Sequence, residues 1–305
     1  IWSPMGDGLP APARQFATFD ADGSGPDAPV LIATMQNPDS TPNTPRSLMQ
    51  WNGTTWSTFG PAFLRTISGR QTQLVYLTTF DPDADGPLPR MLIVAGQFDR
   101  VGEVAATDVA AFDGVSWRAF GDLFLTELFT WIPNNDGQEV LLATPSAQTP
   151  GGPIHSTVRW DGAAWIPFGE SFRDPTDFVR GPSAYTAVPG PNGTSTLYAG
   201  GYFARAGSVS TPGIARWNGS AWEGVGEGIS LAGIEQYSRG VASLAVFSPS
   251  RGGPPTLCMG GPFQIAGGET SAFFARVQIN NCCLADFNND GFADSQDFFD
   301  FLAAF

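Results

Sequence analysis

Trp160-Asp-Gly162-Ala-Ala-Trp165-Ile-Pro-Phe-Gly169 decides the fold, because both of its halves recur along the chain. The second half, a Trp with a Gly four positions on, appears as Trp2-Ser-Pro-Met-Gly6, Trp56-Ser-Thr-Phe-Gly60, Trp117-Arg-Ala-Phe-Gly121, Trp165-Ile-Pro-Phe-Gly169 and Trp222-Glu-Gly-Val-Gly226. The steps between copies are 54, 61, 48 and 57 residues. The first half precedes four of the five copies, as Trp51-Asn-Gly53, Phe112-Asp-Gly114, Trp160-Asp-Gly162 and Trp217-Asn-Gly219. Asn-Gly and Asp-Gly favour the positive φ angles of tight hairpin turns, so each unit ends strand, turn, strand.

Working upstream, two more strand-like runs precede each hairpin. One set is Val30-Leu-Ile-Ala33, Met91-Leu-Ile-Val-Ala95, Val140-Leu-Leu-Ala143, Leu197-Tyr-Ala199 and Leu257-Cys-Met259. Before each lies a turn rich in Gly, Pro, Asp or Asn, and before that another apolar run, such as Leu74-Val-Tyr-Leu-Thr-Thr-Phe80 or Ser243-Leu-Ala-Val-Phe247. Four strands in about fifty residues is the pattern of a propeller blade. The last unit departs from it. Ala275-Arg-Val-Gln-Ile279 matches Ala215-Arg-Trp217 as a third strand, but no Trp-x-x-x-Gly follows. The missing fourth strand stands at the other end of the chain, as Ile1-Trp-Ser-Pro-Met-Gly6. The sequence therefore predicts an all-β protein: a five-bladed β-propeller over residues 1–281, closed by the N-terminal strand, which removes two sheet edges that would invite aggregation. The repeated Trp and Phe residues are expected to pack between neighbouring blades.

Composition agrees. The 305 residues include 37 glycines and 26 prolines, only 14% are charged, and 42% are apolar, which suits a turn-rich β-protein. There is no lysine, so all fifteen basic residues are arginine. The formal charge of −14 argues against a nucleic-acid ligand. No stretch approaches eighteen apolar residues, so no span of a membrane is expected. The first residue is Ile1 rather than Met, and we read the chain as a mature secreted protein, extracellular or at the cell surface.

Residues 282–305 form a second unit. Asp286-Phe-Asn288-Asn-Asp290-Gly291-Phe292-Ala-Asp294-Ser-Gln-Asp297 places oxygen side chains at loop positions 1, 3, 5, 9 and 12 and a glycine at position 6. That is the spacing of an EF-hand-type calcium loop. A hard cation needs six or more oxygens at one distance. Alternate residues of a tight loop supply them: Asp286, Asn288, Asp290, Asp294 and Asp297 through side chains, and Phe292 through its carbonyl. Asp stands at position 12 in place of the usual Glu, which draws the following helix toward the ion. In that helix Phe298, Phe301, Leu302 and Phe305 share one face at i, i+3, i+4 and i+7, and Phe299 widens the stripe. A ten-residue helix does not hold itself in water, and each ring gains about 2 kcal/mol on burial, so this face must pack on the propeller, on a second loop unit or on another molecule. Of the three cysteines, Cys258 lies in a strand-like run and Cys282 and Cys283 just precede the loop. A bridge from Cys258 to either would staple the tail to the last repeat.

The tail resembles a dockerin repeat, in particular the cysteine-preceded kind at the ends of secreted bacterial proteins. The resemblance covers Cys282 to Phe305 and implies calcium-dependent docking to a protein partner, often a cohesin-like module. Dockerins usually pair two loop-helix units, and here there is one. The repeats are similar to bacterial propeller repeats of the form Leu-Tyr-Ala-Gly-Gly-x-Phe-x-x-Ala-Gly. It is best kept at Leu197-Tyr-Ala-Gly-Gly-Tyr-Phe-Ala-Arg-Ala-Gly207, with Met259-Gly-Gly-Pro-Phe263 and Val94-Ala-Gly-Gln-Phe98 as weaker copies. This likeness speaks to fold and not to chemistry.

Other residues carry weaker signals. Asp81, Asp83 and Asp85 alternate before Gly86 and have the form of a second cation loop, although the same place in other units reads as an ordinary turn. The single histidine, His155, lies in a Gly/Pro-rich linker with no Ser or Cys motif to serve. Asp113 and Asp161 occupy turn positions, and Glu170 and Glu227 follow the outer strand without a paired carboxylate, so no enzyme is expected. Asn52, Asn192 and Asn218 fit the glycosylation rule, yet each sits in an Asn-Gly turn. The expectation is a non-catalytic secreted propeller for surface attachment or self-assembly, its calcium-stabilised tail docking onto a partner or the next copy, with a filament as one outcome. The alternatives are a carbohydrate-binding propeller anchored by the tail, and a glycosidase.

Overall fold

A computed structural model describes residues 3–22, 25–26, 28–36, 44–66, 71–84, 86–134, 136–146, 156–190, 193–234, 239–248 and 255–279. Among these residues the protein is all-β, with no α-helix. Ala13–Phe19, Val30–Met35, Arg46–Trp51 and Trp56–Leu64 form sheet one. Gln73–Phe80, Met91–Gln97, Val109–Phe112 and Trp117–Ala119 form sheet two. Leu125–Trp131, Val140–Pro145, Val158–Trp160 and Trp165–Pro167 form sheet three. Ala184–Pro189, Ser195–Gly200, Ile214–Trp217 and Trp222–Gly224 form sheet four. Sheet five has three described strands, Ser243–Phe247, Thr256–Gly260 and Phe274–Gln278. All the pairing is antiparallel, and within each sheet the four repeat strands follow one another in the order expected. The chain divides into two compact units, one of residues 1–132 and 136–168, the other of residues 133–135 and 169–305.

Each hairpin turn shows why Asn or Asp precedes its Gly. Asn218 Oδ1 accepts from the N–H groups of Ser220 and Ala221, both at 2.9 Å, and Asp161 Oδ1 accepts from Ala163 and Ala164 at 2.9 and 2.8 Å. Asn52 and Asp113 repeat the arrangement. The side chain thus satisfies backbone donors that the turn leaves over, and the next residue, Gly53, Gly114, Gly162 or Gly219, takes a positive φ near 100°. Turn chemistry is what Asn52 and Asn218 are seen to do.

The Trp-x-x-x-Gly half explains how sheets stack. In the first unit a Cβ on Gly121 would lie 2.6 Å from Trp165 Nε1, and one on Gly60 would lie 3.2 Å from Trp117 Nε1. In the second unit a Cβ on Gly169 would lie 2.6 Å from Trp222 Nε1 and 2.8 Å from Trp217 Cζ3. Gly60, Gly121 and Gly169 are therefore seats for aromatics of the next copy, and a larger residue would push these off; Gly226, followed by a copy without the Trp pair, has nothing within 4 Å of its Cβ position. Trp160–Trp165 and Trp217–Trp222 meet edge to face at 5.4 and 5.3 Å.

Met91–Gln97 shows why its sequence is a continuous apolar run. Leu92 and Val94 pack into the cluster shared with sheet one, and Met91, Ile93 and Ala95 into the cluster shared with sheet three. A strand covered on both faces loses the apolar–polar alternation of a half-exposed one. In the second unit, Leu257 and Met259 of sheet five pack with Val188, Tyr198 and Ile214 of sheet four. The opposite face of sheet five is open: Phe247 and Phe274 are 60% and 56% exposed.

Sheets two, four and five carry an extra element between their second and third strands. It is a two-residue hairpin: Arg100–Val101 with Val104–Ala105, Arg205–Ala206 with Val209–Ser210, and Ile265–Ala266 with Glu269–Thr270. Each reaches back to the segment that ends the preceding repeat. Val101 pairs with Phe63, Ala206 with Phe172, and Ala266 with Ile229, each partner standing seven residues after its Trp. A buried phenylalanine anchors each hairpin, Phe98 on Phe63 at 4.9 Å and Phe203 on Phe172 at 4.3 Å, with Phe263 in the third. This is the structural content of the Ala-Gly-Gly-x-Phe-x-x-Ala-Gly motif. Its sequence marks a fold repeat; that the repeat is a clamp between successive units is visible only in the pairing.

The predicted N-terminal strand is described only in part. Ile1 and Trp2 lie outside the described residues, and Ser3, Pro4 and Met5 carry no strand. Gly6 nevertheless takes the seat of its counterparts: a Cβ there would lie 3.2 Å from Trp51 Cζ3.

Candidate functional site

The expected calcium ligands Asp286, Asn288, Asp290, Phe292, Asp294 and Asp297 lie outside the described residues, as do Phe298, Phe301, Leu302 and Phe305, the cysteines Cys282 and Cys283, and His155. What the structure places is the support from which the tail departs. Phe274–Gln278 is the last described strand, Ile279 closes onto Pro255 through an N–H···O bond of 2.9 Å, and the loop begins seven residues later. Cys258 sits half-buried in the middle strand of sheet five, opposite Ala245 and Arg276. Its neighbours Leu257 and Met259 point into the core, so alternation turns the thiol to the open face with Phe247 and Phe274.

The Asp81-Pro-Asp83 segment is tied up by its own surroundings. The Asp81 N–H donates to Glu139 Oε2 at 2.7 Å, and Arg90 Nη2 stands 2.8 Å from Glu139 Oε1 and 3.6 Å from Asp81 Oδ2. Asp83 Oδ2 accepts from the Leu88 N–H at 3.0 Å, and the Asp83 carbonyl accepts from Gly86 at 3.1 Å. Asp85 lies outside the described residues. Among the described residues no group of three or more His, Cys, Asp or Glu side chains is arranged to hold a metal ion.

Glu170 and Glu227 are placed by the clamp. Glu170 lies against Gly207, where an added Cβ would come within 3.1 Å of its own Cβ, and Glu227 Oε2 would lie 2.7 Å from a Cβ on Gly268. Both cover turns of the hairpins that reach back to them. Asp113 and Asp161 accept backbone N–H bonds in their turns. Burial pushes Asp113 up, but the donors of Ser116 and Val115 outweigh it and hold the carboxyl below its ordinary value. Ala164 and Ala163 do the same for Asp161.

One buried carboxylate escaped sequence reasoning. Asp174, 1% exposed, lies just past Phe172–Arg173. Its Oδ1 accepts from the Thr176 hydroxyl and N–H at 2.7 and 2.8 Å and from the Phe178 N–H at 3.2 Å, and its Oδ2 accepts from Arg180 Nε at 3.0 Å. Burial opposes its charge, yet these donors prevail and its pKa is lowered. Asp177, at φ 73°, pairs with Arg205 of the sheet-four hairpin, and its carbonyl accepts from Arg173 Nη1 at 2.8 Å. The node locks a loop onto a clamp. Asp-Pro-Thr-Asp at 174–177 is a turn signal that could have marked it.

No protein-family model and no curated protein matches this chain.

Proposed function

We propose that this protein is a secreted, non-catalytic five-bladed β-propeller whose C-terminal loop binds calcium and thereby presents a helix that docks onto a protein partner, foremost another copy of itself. The observation that carries the calcium reading is the donor set at residues 286–297, where four carboxylates and one amide fill the side-chain positions of a calcium loop around Gly291. The loop begins seven residues after Ile279, where the described part of sheet five ends.

The propeller reading draws support from a first sheet whose four repeat strands are extended by a hairpin, three four-stranded sheets and a fifth with three described strands, in the predicted order. It draws more from Gly6. Gly60 stands within a fourth strand and Gly121 and Gly169 just after one; each seats aromatics of the next sheet, and Gly6 lies likewise against Trp51. Gly6 thus corresponds to the glycine of a Trp-x-x-x-Gly copy ahead of sheet one, and sheet five has three described strands.

Size-exclusion chromatography with light scattering, run with calcium and then with a chelator, tests the function. The expected result is association in calcium and monomer in chelator, with Asp290→Ala monomeric in both. A native protein that stays monomeric in calcium sinks the proposal.

A further inference from the structure

The four hairpin turns share one geometry, yet Asp113 and Asp161 bring an acid to it and Asn52 and Asn218 an amide. In an Asn-Gly pair the glycine N, unhindered by a side chain, attacks the asparagine Cγ. An N–Cγ bond forms, ammonia leaves, and water then opens the cyclic imide; where water breaks the new N–Cγ bond, the product is aspartate. Both turns favour the attack. Each Oδ1 accepts two backbone N–H bonds, which stabilise the negative charge that develops on that oxygen. A Cβ on Gly53 or Gly219 would meet nothing within 4 Å. Asn192, in a third such pair, lies outside the described residues.

The two turns differ at the nitrogen that leaves. Asn52 Nδ2 donates to Thr55 Oγ1 at 3.3 Å, a long bond between neutral groups. Ser116 holds the place of Thr55 in the Asp113 turn, and its hydroxyl donates to Asp113 Oδ2 at 3.3 Å. An aspartate at 52 therefore keeps the turn whole once the Thr55 hydroxyl rotates to donate as Ser116 does. Asn218 Nδ2 instead donates to Glu223 Oε1 at 2.6 Å, and Arg216 Nε and Nη2 hold Glu223 Oε2 at 3.0 and 2.9 Å. A bond to a carboxylate is the stronger kind. Replacing that amide by an acid would set two like charges against each other at hydrogen-bond distance. We infer that Asn52 is a site of deamidation whose aspartate product the turn accommodates, and that Glu223 holds Asn218, in the same dipeptide, as the amide.

The test keeps the full-length protein in mildly alkaline buffer, digests it at intervals and follows the conversion of each amide to the acid by mass spectrometry. Asn52 is expected to convert about tenfold faster than Asn218, the retardation that an added hydrogen bond to a charged group imposes. In Glu223→Ala the rate at Asn218 is expected to rise to that at Asn52, and in the urea-unfolded chain the two rates are expected to agree within about twofold. In urea denaturation Asn52→Asp is expected to keep the native midpoint and Asn218→Asp to lower it. A native chain in which Asn218 converts as fast as Asn52, or a Glu223→Ala chain in which Asn218 stays slow, overturns the role of Glu223. An Asn52 that keeps its amide over the period in which the unfolded chain loses it, or a lowered midpoint in Asn52→Asp, overturns the site.

Discussion

Gly169 carries more consequence than any side chain it touches. It has φ +66° and lies where a Cβ would come within 2.6 Å of Trp222 Nε1. Alanine there adds left-handed backbone strain to overpacking against a fully buried Trp, a cost of about 3 kcal/mol. Gly219, equally positive in φ but with nothing within 4 Å of its Cβ position, bears the strain alone. Urea denaturation is therefore expected to rank Gly169→Ala as more damaging than Gly219→Ala. The carboxylates set a second expectation. Asp174, Asp113, Asp161 and Glu223 all have lowered pKa values, held down by hydrogen bonds to the ionised form. Below the ordinary carboxylate range the unfolded chain binds more protons than the folded one. Their contribution is then complete above about pH 5 and is lost as pH falls through roughly 4 and below. The urea midpoint should fall across that window, and less steeply in Asp174→Asn.

At the level of elements, the clamp hairpins do the work that long fourth strands do not. The fourth strands of sheets two, three and four span three residues each, too little pairing to hold one unit to the next. The hairpins add backbone pairs and a buried ring across that junction. Phe203→Ala removes a fully enclosed ring that stacks on Phe172 and is expected to cost about 4 kcal/mol, visible as a fall in thermal midpoint. Phe178→Ala, at a ring 63% exposed in the nearby loop, should leave the midpoint nearly unmoved. Strand positions were legible in the sequence because each unit repeats one alternation between Asn-Gly or Asp-Gly turns. The hairpins were not, because runs of two residues such as Arg205–Ala206 have no period to read. The Asp174 node was missed for a related reason: its partners Arg180 and Thr176 are local, but its burial depends on the hairpin beside it.

Across the whole molecule the division follows from range. The amino-acid sequence alone determined the β class, the order of strands within each repeat, the turn residues and the donor pattern at residues 286–297, since each is written among residues close along the chain. Tertiary structure alone decided why glycine stands at positions 60, 121 and 169, which acidic groups are already spent on backbone donors and Arg90, and where the hairpins clamp one repeat to the next. Those outcomes turn on which surfaces meet across fifty or more residues. Close packing admits or refuses a single methyl group there, and no local pattern records that decision.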